Sequence, residues 1–107
     1  MAYICKPLTE PVFFILLSLA SKPLHGYGLM KDIVNLSKGR VQITTGTLYG
    51  AIKRLLEDAW IKPFAQEDSS RDKQAYAITA SGRKQLQAEI QRLRSMTELA
   101  ASRLREA

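Results

Sequence analysis

The sequence predicts a mostly α, α+β fold, in which a small domain of three helices and a hairpin precedes one long helix. Apolar residues recur at helical spacing in four stretches, and strand-like pieces lie around residues 60–65 and 74–78. Gly, Pro or Ser separates most of these stretches. At 107 residues and 46% hydrophobic content, the chain can fill one small core, so we expect one domain with an appendage.

The charge and the rare residue types limit the function classes. The formal net charge of +6 favours a polyanionic partner, although a basic surface also serves solubility. One Cys and one His cannot form an internal disulfide or an ordinary metal site, so we expect a reduced, cytoplasmic protein without metal or cofactor. The longest apolar run, 12–17, is too short to span a bilayer, and we expect no membrane attachment.

The first helix should begin near residue 10. Thr9 is a capping residue, Glu10 suits the positive end of a helix, and Pro11 falls where no intrahelical donor is needed. Apolar residues surround this helix, which predicts burial on several sides, including against something outside its own domain. The segment 21–24 should end it.

A second helix should open in the segment 25–28 and stop in the segment 37–39. Its glycines fit the first turn better than the middle, where each would cost about 1 kcal/mol relative to Ala. The alternating segment 41–43 is long enough for one edge strand. The residues that we expect to share one face of this helix are Tyr27, Met30, Ile33 and Val34.

The third helix should be capped by Thr44 or Thr45 and run to about Asp58. One face carries apolar residues at helical spacing, which predicts that this face joins the core. The opposite face carries hydroxyls and cations, which suit phosphates and base edges. The apolar face consists of Leu48, Ile52, Leu55 and Leu56, and the polar face of Thr45, Thr47, Tyr49, Lys53 and Arg54.

The strand-like pieces 60–65 and 74–78 flank a polar run at 67–73. This arrangement predicts a β-hairpin with a charged tip. Pro63 cannot donate to a ladder, so it should face the open edge of the hairpin.

The last helix should be capped by the segment 79–82 and run to near the C-terminus. Its apolar residues alternate between spacings of four and three, which is a heptad-like seam. No core remains within the chain to cover this seam, so a second copy is the simplest partner. We therefore divide the chain into residues 1–79 and a dimerisation helix, 80–107. The seam consists of Leu86, Ile90, Leu93, Thr97, Ala100 and Leu104, and Met96 and Leu99 widen it.

The predicted order of helix, helix, short strand, helix, hairpin and helix is that of a winged helix-turn-helix, whose third helix enters the major groove of DNA. Three motifs, spread over nearly the whole chain, also resemble the PadR family of bacterial transcriptional regulators. They are His25-Gly26-Tyr27-Gly28-Leu29, Gly46-Thr47-Leu48-Tyr49 with Leu55 and Ile61 downstream, and Tyr76-Ala77-Ile78-Thr79 with Gly82.

The resemblance implies a homodimeric, repressor-like protein of the short PadR subfamily, which dimerises through its single C-terminal helix and binds inverted repeats. The chain departs from the family pattern at three positions. Ala59 stands where the family usually has Gly, Trp60 where it usually has Leu, and Gly50 where a Pro is widespread. Because the position of Ala59 often requires a left-handed backbone, we expect Ala to cost stability or to shift the turn.

The candidate DNA contacts lie in three places. Those of the third helix are Thr44, Thr45, Thr47, Tyr49, Lys53 and Arg54; His25 and Tyr27 open the second helix; and Arg71 and Lys73 lie in the hairpin tip.

Each candidate contact has an alternative interpretation. The threonines could serve as helix caps and solvated hydroxyls, and Tyr49 could pack its ring on the domain. Lys53 and Arg54 could pair with the acidic residues at 57 and 58. His25 could be a turn residue, Tyr27 could lie partly in the core, and the acidic residues of the hairpin tip offset its cations.

The resemblance also implies a possible small-molecule effector. In multidrug-sensing relatives, an aromatic residue of the dimer helix stacks a planar compound between subunits, whereas this chain has Leu93 and Met96 in that region. Phe13 and Phe14 could complete an apolar pore for a small hydrophobic or aromatic compound. A plain dimer core is the alternative use of these residues.

Together these patterns predict a sequence-specific DNA-binding transcriptional regulator, a repressor on an inverted-repeat operator that a small aromatic ligand could release. The alternative is a winged-helix module that binds proteins and leaves DNA alone. An enzyme is not expected, because His25 lacks an orienting carboxylate in its motif and no Gly-rich phosphate loop follows a strand.

Overall fold

The computed structural model describes residues 6–65 and 74–106. Four helices and a small sheet form a winged helix-turn-helix with a long C-terminal helix, as predicted. The elements in chain order are α1 (Glu10–Ser21), β1 (Leu24–His25), α2 (Gly26–Leu36), α3 (Thr45–Glu57), β2 (Ile61–Phe64), β3 (Ala75–Ile78) and α4 (Ala80–Glu106).

The sheet is antiparallel and has the strand order β1-β3-β2. In the hairpin, Ile61 lies opposite Ile78 and Phe64 opposite Ala75, so the two predicted strands pair as expected. β2 is an edge strand, which is where Pro63 can be tolerated because only one side of the strand needs donors. β1 completes the sheet on the other side of β3, with Leu24 opposite Tyr76.

The prediction of a strand at 41–43 is wrong. The strand that completes the three-stranded sheet is β1. The hydroxyl of Ser37 accepts a hydrogen bond from the amide of Val41 at 3.0 Å and donates to the carbonyl of the same residue at 3.4 Å. Both backbone groups of Val41 are therefore engaged by a side chain rather than by a ladder. Val41 and Ile43 are half-buried and pack against the core.

One hydrophobic core joins α1, α2, α3, the sheet and the start of α4. The face of α2 that packs on the core differs from the predicted one. Its buried apolar residues are Leu29 and Ile33, whereas Tyr27 is 71% exposed and Val34 lies at the surface. Tyr27 therefore does not lie in the core. The buried members of the cluster are Ile15, Leu16, Leu19, Leu29, Ile33, Leu48, Ile52, Leu55, Ile61, Tyr76 and Leu86.

α3 ends in a left-handed turn in spite of its alanine. Ala59 has a φ of 60°. Its amide donates to the carbonyl of Leu56 at 3.1 Å, and the amide of Trp60 donates to the carbonyl of Leu55 at 3.0 Å. This bond pattern is the Schellman motif, in which glycine usually occupies the left-handed position. The turn has not shifted, so the substitution leaves a strained alanine in place.

The start of α4 is tied to this turn. The hydroxyl of Thr79 donates to the carbonyl of Ala59 at 2.7 Å and accepts from the amide of Gly82 at 3.0 Å, which caps α4. The amide of Thr79 donates to the carbonyl of Trp60 at 3.0 Å. Gly82 packs so closely on the carbonyl of Trp60 that a Cβ would clash with it. The end of α3 and the start of α4 therefore form one joint.

α4 changes character along its length. Gly82, Leu86 and Glu89 are buried against the winged part, whereas the residues after Arg92 are exposed. Leu86 is only 5% exposed and belongs to the core of its own chain, so it offers little surface to a second copy. In the part of the chain that the structure describes, no helix is long and apolar enough to cross a membrane.

Candidate nucleic-acid interface

α3 presents the two faces that its sequence predicts. Leu48, Ile52 and Leu55 are buried, and Leu56 is half-buried. The helix continues through Gly50, whose Cα faces open space. All the predicted contacts on this helix lie at the surface, namely Thr44, Thr45, Thr47, Tyr49, Lys53 and Arg54.

The threonines divide into capping and outward-facing groups. The hydroxyl of Thr44 accepts from the amide of Thr47 at 3.2 Å and donates to the hydroxyl of Thr47 at 3.0 Å. Thr44 is thus the N-cap, and its hydroxyl is already engaged. Thr45 lies on the exposed first turn, where helix amides point outward and attract anions. The capping interpretation therefore holds for Thr44, whereas phosphate contact by Thr45 stays a prediction.

A cleft of about 410 Å³ lies between the start of α2, α3 and the base of the hairpin. It brings together three predicted residues, His25 at the end of β1, Tyr27 of α2 and Tyr49 of α3. It also contains three polar residues that sequence reasoning missed, Lys31, Gln74 and Tyr76. Lys31 could have been found as the residue one helical turn after Tyr27, whereas Gln74 and Tyr76 reach the cleft only through pairing of β3 with β1.

Tyr49 connects α3 to α2. Its ring packs on Gly26, where a Cβ would lie 2.8 Å from Cζ, so any larger residue at 26 would displace the ring. The residue is nevertheless 47% exposed. Burial raises the pKa of the Tyr76 phenol, and the neighbouring Tyr49 adds to that effect. Tyr49 therefore packs on the domain and also presents part of its phenol to solvent.

The start of α2 is suited to an anion. His25 is the N-cap of α2, but its side chain accepts no hydrogen bond from the first amides of the helix. The ammonium of Lys31 lies 5.5 Å from the centre of the Tyr27 ring, in cation–π contact. A positive helix end, an ammonium and phenols thus border the same cleft.

Lys53 and Arg54 lie in different surroundings. Lys53 is exposed on α3, one turn after Tyr49. Arg54 lines a second cleft, together with Asp58. Neither cation takes part in the ion pairs that the structure shows on α4, and the predicted pairing with the acidic residues at 57 and 58 is not seen among the described residues. Arg71 and Lys73 lie outside the described residues.

The exposed part of α4 carries most of the predicted seam. Ile90, Leu93 and Met96 are partly exposed, and Leu99 and Leu104 are 71% and 76% exposed. The hydroxyl of Thr97 donates to the carbonyl of Leu93 at 2.7 Å, and Ala100 is exposed.

A buried carboxylate anchors this helix just before the seam becomes exposed. Glu89 is 2% exposed and pairs with Arg92 at 2.7 and 2.8 Å. The hydrogen bonds from Arg92, its charge and the backbone of Leu8 hold the pKa of Glu89 below its ordinary value, in spite of the opposing effect of burial. Sequence reasoning missed this residue, because a Glu inside an apolar seam is read as a solvated position. Glu89 thereby links α4 to the segment before α1.

The candidate effector residues lie on two different helices, α1 and α4. Phe13 and Phe14 pack edge to face, with ring centres 5.5 Å apart, and both rest against the core. Leu93 and Met96 lie on the exposed part of α4. Neither of the two clefts described above is lined by any of these four residues.

Comparison with known proteins agrees with this architecture. A transcriptional regulator from Clostridium thermocellum has a TM-score of 0.74 at 24% identity, over 86% of this chain and 87% of that one. A PadR family transcription regulator from Clostridium difficile gives 0.69 at 23% identity, over 90% and 99%. RosR of H. salinarum gives 0.68 at 16% identity, over 94% and 98%. At these identities the likeness shows the fold alone.

Among curated proteins, none matches the sequence. The model of the transcriptional regulator PadR-like family, in contrast, matches residues 15–88, which include α2, α3 and the hairpin. Since this match covers more than half of the chain, the protein belongs to the PadR-like family of DNA-binding transcriptional regulators.

Proposed function

We propose that the protein is a homodimeric repressor that binds an inverted-repeat operator, with α3 of each subunit in a major groove. The observation that carries the proposal is the position of the outward face of α3 beside the cleft at the start of α2. One surface of the subunit thus offers side chains for base edges and cationic groups for the adjacent phosphate backbone.

Base edges would be read by the exposed side chains of α3. Thr45 and Thr47 lie at the first turn, and Lys53 lies two turns further on the exposed surface. The major groove is about 12 Å wide and admits one helix, whose N-terminal side chains commonly reach the bases. Gly46 and Gly50 have open space around their Cα atoms, so they do not obstruct a close approach of DNA to the helix.

Phosphates would be held beside the groove by the cleft at the start of α2. Tyr49 reaches this cleft from α3, and Lys31 and Tyr27 reach it from α2. Backbone amides at a helix start, an ammonium and phenols all bind phosphate oxygens. His25 would contribute here, and Arg54, Arg71 and Lys73 would add phosphate contacts elsewhere.

Dimerisation would occur through the exposed seam of α4, so residues 1–79 would read DNA and residues 80–107 would join two subunits. The seam that follows Glu89 exposes apolar side chains on one helix, and a second copy would remove them from water. Two readers related by a two-fold axis favour half-sites about one helical turn apart, or a multiple of it. A small aromatic effector would act by changing how the two readers are held.

The experiment is a selection of bound duplexes, followed by titration of the selected palindrome and a scrambled duplex at several salt concentrations. We expect tighter binding to the palindrome and a steep fall with salt, because phosphate contacts release counterions. Equal binding to both duplexes at physiological salt would contradict sequence-specific repression. Binding that is insensitive to salt, together with a tight protein partner, would favour the winged-helix protein-binding module instead.

A further inference from the structure

Tyr76 of β3 combines a core ring with a polar end at the cleft at the start of α2. The residue is 8% exposed, and its ring belongs to the hydrophobic core. Within residues 6–65 and 74–106, its hydroxyl has no hydrogen-bond partner. The oxygen is not sealed off either, because the enclosed polar side-chain atom without a partner in these ranges is the hydroxyl of Ser18. A phenylalanine ring would fill the core equally well, so packing explains the ring but not the hydroxyl.

The neighbours of Tyr76 place its hydroxyl at the start of α2. Tyr76 lies opposite Leu24 in the sheet, and α2 begins two residues after Leu24, at Gly26. Tyr49 reaches the same place from α3, with its hydroxyl against Gly26. The two phenols are near enough for Tyr49 to add to the raised pKa of Tyr76. Three elements, α2, α3 and β3, therefore bring polar groups to one point.

That point offers hydrogen-bond donors. Burial raises the pKa of the Tyr76 phenol, so the hydroxyl is protonated and can donate. The first amides of α2 are not bound by the side chain of the N-cap residue, and Lys31 adds an ammonium. Among the described residues, none of those that line the cleft is an Asp or a Glu. Donors without a carboxylate suit an anion with several acceptor oxygens, such as a phosphate group.

We propose that the Tyr76 hydroxyl is a direct ligand of one DNA phosphate, which lies at the inner end of this cleft and is also held by the α2 amides and Lys31. The proposal rests on the proposed function, since α3 borders the cleft and would bring the DNA backbone to it. It goes further because it makes a core residue of the hairpin a DNA contact. A phosphate bound in this way contacts α2 and β3 at once and lies beside α3, so it fixes the register of the reading helix along the backbone.

The first test separates DNA binding from stability with Tyr76→Phe, which removes only the hydroxyl. Binding of a scrambled duplex and of the selected palindrome should weaken by the same factor, about tenfold for each subunit, because phosphate contacts carry no sequence information. The melting temperature of the free protein should stay unchanged or rise, since the hydroxyl loses no partner within the described residues. Ser102→Ala, which removes an exposed hydroxyl of α4 outside the cleft, should change neither property. Unchanged DNA binding by Tyr76→Phe would overturn the proposal. A lower melting temperature would assign the hydroxyl to the fold and would overturn it as well.

The second test locates the phosphate. Methylphosphonates, which replace one charged oxygen by a methyl group, are placed one at a time at matching positions in both halves of the palindrome. For the original protein, one position in each half-site should cost about tenfold in affinity for each subunit. In Tyr76→Phe the loss at that position should shrink severalfold, whereas losses at other positions should stay the same, since only groups in contact are coupled. Equal losses in both proteins at every position would overturn the proposal, even if Tyr76→Phe binds DNA weakly.

The two proposals can fail separately in these experiments. If the original protein binds both duplexes equally and Tyr76→Phe binds both more weakly, sequence-specific repression fails and the Tyr76 contact stands. If the palindrome is preferred and Tyr76→Phe binds it as tightly as the original protein does, the repressor stands and the Tyr76 contact is refuted.

Discussion

The strained alanine at the end of α3 leads to a prediction with an unusual sign. Ala59 holds a φ of 60° within a Schellman motif. The left-handed conformation costs an L-residue roughly 1–2 kcal/mol, and glycine avoids this cost. Glycine adds about 0.5–1 kcal/mol of conformational entropy to the unfolded chain, which opposes the gain. Ala59→Gly should therefore stabilise the fold by about 0.5–1 kcal/mol.

Urea unfolding of Ala59→Gly measures this difference, and the protein concentration is held fixed because the stability of the proposed dimer would depend on it. Ala101→Gly is the matched control, since Ala101 is exposed within α4 and its right-handed backbone gains nothing from glycine. That control should lose about 1 kcal/mol. If Ala59→Gly were neutral or destabilising while the control behaved as expected, the argument from strain at this turn would be refuted.

Four further changes test the reading helix, its support, the seam and the anchor of α4. Lys53→Ala should weaken operator binding and lower the salt slope by about one, as gel shifts at several salt concentrations would show, whereas Lys84→Ala should change neither. Gly26→Ala should displace the Tyr49 ring and weaken operator binding, with an altered Tyr fluorescence as the check. Ile90→Asp should give monomers in sedimentation, because it places a charge in an apolar seam; a variant that stayed dimeric would contradict the seam. Since the folded-state pKa of Glu89 is lowered, its contribution to stability is present above the unfolded pKa of about 4.5 and is lost as pH falls through the folded pKa. Arg92→Met leaves burial as the largest effect on this carboxyl, so its folded-state pKa should rise and acid should no longer destabilise the fold through Glu89 in melting curves; near neutral pH the variant should lose about 1–3 kcal/mol.

The elements that the sequence predicted correctly are those with local signals. Thr9 caps α1 and Thr44 caps α3, each through its own hydroxyl, because capping needs only a side chain and an amide three residues later. The stripe of Leu48, Ile52 and Leu55 is buried as its spacing requires. The hairpin strands were also predictable, because apolar runs that flank a polar turn favour pairing with each other.

The elements that were missed depend on distant parts of the chain. β1 has only two residues, which is too short for a periodic pattern to predict it. Its pairing partner β3, with Tyr76 opposite Leu24, lies far along the sequence. The alternation at 41–43 resembled a strand, but Ser37 engages the backbone there. Leu86 has the spacing of the seam, yet it turns into the core because α4 first crosses the winged part. A pattern on one helix shows which face is apolar, but not which neighbour covers it.

In the candidate site, too, the features with a local sequence signal were predictable and those that depend on distant parts of the chain were not. The polar face of α3 was evident from its spacing, whereas Lys31, Gln74 and Tyr76 enter the cleft only after α2 and β3 have packed beside α3. Tyr49 packs its ring on Gly26, as one interpretation of the sequence expected, and because the residue is also partly exposed its contact with DNA stays a prediction.

The joint between α3 and α4 connects the two proposed tasks of the chain. The carbonyls of Ala59 and Trp60, at the end of α3, are both bound by Thr79, which caps α4. Gly82 allows the close contact that this geometry needs, since a Cβ would clash with Trp60. A change in the direction of α4 must therefore move the end of α3 with it. In a dimer joined by α4, the spacing of the two reading helices would be set at this joint.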